Sequence, residues 1–172
     1  VADAYRAIGG TQVAFLTAGS VRNNLEAGDV TYNSILNMLP YSNDVVTAKV
    51  TGQMILDALE FGVSKLPDIS AGFPQVSGIT FHVNKEIPSS VAADEKNQFL
   101  SVDGERRVTD VKIGEEMLDP AKEYTLTGIS YVLNGGDGYS MFRDASILTM
   151  TMLPDNEVVM KYLEENPNGV IP

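Results

Sequence analysis

The chain has 172 residues, 12 basic and 23 acidic side chains for a formal charge of −11, one histidine, and neither cysteine nor tryptophan. That length suits one compact domain with a sufficient core, and the missing cysteine excludes a disulfide framework, a zinc ribbon, a thiol nucleophile and a redox motif. Such acidity opposes sequence-independent binding to nucleic-acid polymers and to anionic membranes, both of which reward clustered Lys and Arg.

The predicted elements begin with a helix already under way. Ala2 to Ile8 read as last turns closed by Gly9-Gly10, so the chain, which starts on Val1, is expected to be a piece of a longer protein. No run approaches the roughly 20 apolar residues of a spanning helix, and no basic, apolar and small-residue leader pattern opens the chain. Gln12 to Leu16 reads as a buried strand, followed by the polar stretch Thr17-Ala18-Gly19-Ser20. Thr31 is placed to cap a helix over Tyr32 to Met38, which Pro40 stops. Val46, Ala48 and Val50 alternate as in a strand, and Thr51 caps a helix with Ile55, Ala58, Leu59, Gly62 and Leu66 on one face.

The second half is richer in strands. Ile79, Phe81 and Val83 alternate with polar residues, and Asp103-Gly104 between Gln98 to Val102 and Arg106 to Ile113 predicts a hairpin. Tyr124 to Gly128 is a strand, a loop covers Asn134 to Tyr139, and Ile147 to Met152 is the last strand. Asp155 is expected to cap a final helix with Val159, Tyr162 and Leu163 inward and a Glu157 to Lys161 pair outward, ended by Asn166-Pro167. Such an order implies an α+β class, one domain of mixed sheet with flanking helices.

Three segments carry candidate chemistry. Asn134-Gly135-Gly136-Asp137-Gly138-Tyr139 places three glycines around one carboxylate, with Tyr131 before it and Tyr139 at its end. Such a loop is most simply a tight surface turn; the alternative is a carboxylate held at a ligand site beside a ring. Arg22, the only basic side chain between Arg6 and Lys49, offers a planar fork for phosphate or carboxylate, or else an ion pair to Glu26. Leu39-Pro40-Tyr41-Ser42-Asn43 sets an aromatic on a proline turn. Together these are a kit for a nucleotide: charge for phosphate, rings for a base, an acceptor for ribose hydroxyls. His82 lies on the polar side of its strand with no second histidine to share a metal, no Gly-x-Ser-x-Gly elbow is present, and the acidic clusters read as solvated loops.

In this order the segments resemble the C-terminal domain of the 5'-nucleotidase family, which includes UDP-sugar hydrolases and cyclic-nucleotide phosphodiesterases. The resemblance runs over nearly the whole chain and rests on Ala2-Asp3-Ala4-Tyr5-Arg6, Thr17-Ala18-Gly19-Ser20-Val21-Arg22, Gly28-Asp29-Val30-Thr31-Tyr32, Leu39-Pro40-Tyr41-Ser42-Asn43, Thr51-Gly52, Phe73-Pro74-Gln75-Val76-Ser77-Gly78 and Gly135-Gly136-Asp137-Gly138-Tyr139. It implies that residues 1–172 form a substrate-recognition domain, and that a separate N-terminal metallophosphatase domain holds two divalent metal ions and performs hydrolysis. The base would stack between Tyr41 and Tyr131, Asp137 would accept from ribose, Arg22 would meet phosphate, and Asn43 would reach the base edge.

Departures from the family pattern are Thr17 for asparagine, Ser20 for a loop glycine, and tyrosine for both stacking phenylalanines. Thr17 puts the phosphate-side contact in question, and the upstream arginine that the family uses is expected to precede Val1. The fragment alone is expected to be inactive, with no catalytic residue or metal site of its own. The partners implied are a nucleotide or nucleoside and the N-terminal domain, in an extracellular, periplasmic or cell-surface setting. The alternatives are a non-catalytic binding module with a drifted pocket, or recognition of a non-nucleotide phosphate ester.

Overall fold

A computed structural model describes residues 1–166. Helix α1 (Ala2–Gly9) stops where Gly10 turns left-handed at φ 62°, its N–H closing on the carbonyls of Arg6 and Ala7. Strand β1 (Val13–Thr17) is buried along its whole length. A 3₁₀ turn follows over Ala18–Ser20. Helix α2 (Tyr32–Met38) opens on the predicted cap: Thr31 Oγ1 accepts from Ser34 N, and Thr31 N donates back to Ser34 Oγ. Next come β2 (Asp44–Thr51) and α3 (Gly52–Val63), where Thr51 Oγ1 accepts from Met54 N. After β3 (Pro74–Ser77) the chain makes an excursion through β4 (Ile79–Val83), β5 (Val91–Ala93), β6 (Phe99–Val102), β7 (Val108–Ile113) and β8 (Glu116–Met117). It returns as β9 (Glu123–Ile129), α4 (Ser130–Leu133), β10 (Ser146–Pro154) and α5 (Asp155–Glu165).

The main sheet is mixed, in the order β10-β2-β9-β1-β3, and the excursion forms a three-stranded sheet β4-β7-β8 and a two-stranded ribbon β5-β6. Strands β1 and β9 run parallel, while β2, β3 and β10 run antiparallel to their neighbours. The α+β class read from the sequence therefore holds. Among the described residues, no helix is long and apolar enough to cross a membrane.

An aromatic cluster lies between the sheet and the last loops. Phe15 meets Tyr139 and Phe61 meets Tyr139, each pair edge-on with centroids 5.1 Å apart. Tyr139 therefore belongs to the core. Its hydroxyl donates to the Gly72 carbonyl at 2.5 Å, and burial, with the Asp137 charge behind it, pushes the phenol far above its ordinary range.

Three expectations need correction. The chain does turn at Asp103-Gly104, but no hairpin forms: β6 pairs with β5, and β7 pairs with β4 and β8. The reason lies in the next residues, which α3 takes over. Arg106 meets the Asp57 carboxylate and donates to the Leu56 carbonyl, while the backbone N–H of Arg107 goes to Glu60. Asp155 is not the cap of α5; Pro154 occupies that position, and Asp155 begins the helix fully buried. The exposed ion pair on α5 is Lys161 to Glu165, one turn later than predicted. Asn166 ends the helix, and Pro167 lies outside the described residues.

Candidate functional site

Strand direction explains how segments far apart in sequence meet. Because β1 and β9 are parallel, the 18–22 segment and the segment bearing Tyr131 and Asp137 leave the same edge of the sheet. The pairing of Val45 with Ile129 brings the Leu39–Asn43 turn to that edge, and the pairing of Thr17 with Pro74 brings Ala71 there. Pro154 opposite Asp44 adds the start of α5.

At this edge a cleft of about 530 Å³ is lined by Thr17, Gly19, Ser20, Arg22, Tyr41 and Asn43 from one stretch of chain, and by Ala71, Ile129, Tyr131 and Asp137 from others. All six sequence-predicted site residues are brought together. Tyr41 is 59% and Tyr131 52% exposed, so both rings keep a large face uncovered. Arg22 is exposed and held by its backbone N–H to the Met38 carbonyl at 2.9 Å, with a long guanidinium bond to the Gly19 carbonyl at 3.4 Å. It forms no ion pair with Glu26 among the described residues. The guanidinium is exposed at the mouth of the cleft.

Asp137 is held from both sides. It adopts φ 53°, a left-handed conformation rare outside glycine and tolerated best by Asn and Asp. Thr17 Oγ1 donates to its Oδ2 at 2.8 Å, and the Tyr131 hydroxyl donates to its Oδ1 at 3.2 Å while accepting from its N–H at 3.3 Å. The Thr17 hydroxyl is thus committed to the carboxylate. Each carboxylate oxygen carries about two lone-pair sites, so both can still accept from a ligand.

The Tyr131 ring lies against Gly136. A Cβ built at that position would sit 2.6 Å from ring atoms Cε1 and Cζ and equally close to the Tyr131 carbonyl oxygen, far inside van der Waals contact, so both the ring and the backbone would have to give. Gly136→Ala is therefore expected to displace the ring and break its bond to Asp137, at a cost of about 1–3 kcal/mol in stability. The check is the NMR signals of the Tyr131 ring and denaturant unfolding of the variant; an unshifted ring with wild-type stability contradicts this account.

Asn43 lines the cleft, but its Nδ2 donates to Asp155 Oδ2 at 2.9 Å. Burial pushes the Asp155 carboxyl above its ordinary range, and the bonds from Asn43 and the backbone oppose that rise. His82 is exposed on β4, 3.1 Å from Asp110, and this hydrogen bond holds the Asp110 carboxyl below its usual range. Among the described residues no group of three His, Asp or Glu side chains is arranged to hold a metal ion.

The model for the 5'-nucleotidase, C-terminal domain, matches residues 1–144. The chain belongs to that family. Two curated relatives of this 5'-nucleotidase C-terminal domain are 31% identical to it: the Silent protein UshA(0) of Salmonella typhimurium, over 94% of this chain and 27% of its own length, and the Trifunctional nucleotide phosphoesterase protein YfkN of Bacillus subtilis, over 95% of this chain and 10% of its own. The crystal structure of a 5'-nucleotidase precursor from Thermus thermophilus superposes with a TM-score of 0.83 at 27% identity, covering 99% of this chain and 32% of that one. The chain spans about a quarter of the length of the first relative, and a tenth of the second.

Sequence reasoning missed the parts of the 5'-nucleotidase C-terminal domain's cleft that lack distinctive chemistry. Ala71 and Ile129 line it through position alone. Asp155 has the sequence context of a helix cap, and no spacing signal connects it to Asn43, which is 112 residues away.

Proposed function

We propose that residues 1–172 form the nucleotide-recognition domain of a 5'-nucleotidase-type phosphohydrolase, with the base held between Tyr41 and Tyr131. The observation that carries this reading is that two half-uncovered tyrosine rings, one arginine and one carboxylate line a single cleft. Arg22 meets the phosphate through charge-assisted hydrogen bonds. Asp137, fixed by Thr17 and Tyr131, accepts from the ribose hydroxyls. Asn43 meets the base edge with the part of its amide that Asp155 leaves free.

Hydrolysis belongs, in this reading, to an N-terminal metallophosphatase domain carrying two divalent metal ions, in keeping with a chain that spans only about a quarter of the first relative's length. Domain closure would deliver the phosphate at Arg22 to that centre. The relatives, a trifunctional nucleotide phosphoesterase of Bacillus subtilis and a 5'-nucleotidase precursor of Thermus thermophilus, support the substrate class. An extracellular, periplasmic or cell-surface setting goes with the same reading.

Calorimetric titration with adenosine and AMP tests the phosphate arm. AMP is expected to bind the chain more tightly than adenosine, and Arg22→Ala to remove about 1.5–3 kcal/mol from AMP alone, the range for hydrogen bonds to charged groups. An equal loss for both ligands would mean that Arg22 does not read phosphate.

A further inference from the structure

The recognition reading leaves a buried polar cluster at the start of α5 unused. Asp155 is fully buried and Asn156 nearly so. Both reach the turn that carries Tyr41. Asp155 Oδ2 accepts from Asn43 Nδ2 at 2.9 Å, and the Asp155 N–H donates to the Asn43 carbonyl at 2.9 Å. Asn156 Nδ2 donates to the Leu39 carbonyl at 3.3 Å and to Ser42 Oγ at 3.0 Å, while its backbone N–H donates to Asp155 Oδ1 at 2.8 Å. Leu39, Ser42 and Asn43 are all tied to α5, and the exposed Tyr41 ring hangs between the ties.

Backbone geometry gives an independent sign that this turn is held. Ser42 has φ 49°, a left-handed conformation that costs a non-glycine residue its intrinsic preference and persists only where surroundings impose it. The Asn156 bond to Ser42 Oγ is such a constraint. Asp155 adds direction. Its Oδ2 takes the Nδ2 side of the Asn43 amide, which leaves Oδ1 free of that bond.

We infer that Asp155 and Asn156 are positioning residues for the ligand site, setting the Tyr41 wall and the orientation of Asn43 from beneath without touching the ligand. The inference rests on the nucleotide reading of the cleft. The test is adenosine titration of the chain and its Asn156→Ala variant in wild-type and Tyr41→Ala backgrounds, with hydrogen exchange of the 39–43 amides. Asn156→Ala is expected to weaken adenosine binding about tenfold, the equivalent of one lost well-placed contact, and to have less than about a twofold effect once Tyr41 is alanine. The amides of Ser42 and Asn43 should exchange faster while those of β1 do not. Ser42→Ala, which removes only the Oγ tie, gives the same pattern more weakly and serves if Asn156→Ala does not fold. Equal weakening in both backgrounds, or unchanged affinity with a loosened turn, overturns the inference. If wild type binds no adenosine, the nucleotide reading fails, and the exchange rates still decide whether α5 holds the turn.

Discussion

Alanine in place of Glu60 is expected to lower the unfolding free energy by about 2–6 kcal/mol, since each of two buried donors left unpaired costs roughly 1–3 kcal/mol. Glu60 is fully buried on α3, where Oε1 accepts from the backbone N–H of Arg107 and Oε2 from that of Val108, each at 2.9 Å. Truncation leaves both N–H groups without an acceptor. The neighbouring Arg107 side chain makes the same junction from the opposite side, donating to the carbonyls of Ile87, Val63, Ser64 and Leu66 at 2.6–3.2 Å. Two charged side chains thus serve as backbone partners, fastening the β4 to β8 excursion to the end of α3. Glu60→Gln should lose less, because its amide oxygen keeps one of the two bonds. Guanidinium unfolding of the three proteins checks the order wild type, glutamine, alanine; an alanine variant within about 0.5 kcal/mol of wild type would show the clasp to be ornamental.

For ligand binding, the largest losses are expected from Tyr41→Ala and Tyr131→Ala, each weakening adenosine by about 1–3 kcal/mol, the range measured for one aromatic stacked on one base. That corresponds to a factor of roughly 5 to 150 in affinity. Tyr131→Phe separates the ring from its hydroxyl. It keeps the stacking face and removes the bond to Asp137 Oδ1, so a loss of no more than about tenfold is expected. Titration of the three variants against adenosine gives the comparison. Wild-type binding that neither alanine alters would remove the base from between the rings, and a phenylalanine as harmful as alanine would give the binding energy to the hydroxyl.

Much of the framework is legible because it is local. Thr31 and Thr51 cap the helices that their spacing announces, and Gly10 closes α1 as glycine after an apolar turn should. The candidate site is legible for a different reason: Arg22, Tyr41, Tyr131 and Asp137 are each a weak signal alone, and the resemblance to the family is what joins them, with Thr17 and Asn43, into one site. What escapes are partners defined only by the folded backbone. Glu60 stands between Leu59 and Phe61, and nothing nearby reveals that its ligands are amides 47 and 48 residues on. The Asp103-Gly104 turn misleads because turn chemistry specifies a reversal of the chain and not which strand waits on the far side. There, the pull of α3 on Arg106 and Arg107 decides the pairing. The Glu157 to Lys161 pairing fails more simply, since exposed i,i+4 pairs are worth only a few tenths of a kcal/mol and Lys161 has Glu165 equally within reach.

The parallel pairing of β1 with β9 also has a kinetic consequence. Val13 must find Leu126 across more than a hundred residues of intervening chain, and the entropy of closing that loop is spent before any contact across the cleft is gained. The Thr17 to Asp137 bond can form only after that closure. A ribosome that has synthesised everything up to β8 has made the strand that ends at Thr17, the turn with Tyr41 and the arginine, yet Tyr131 and Asp137, which complete the cleft, are still missing. The cleft therefore cannot be complete until β9 has been made and paired with β1.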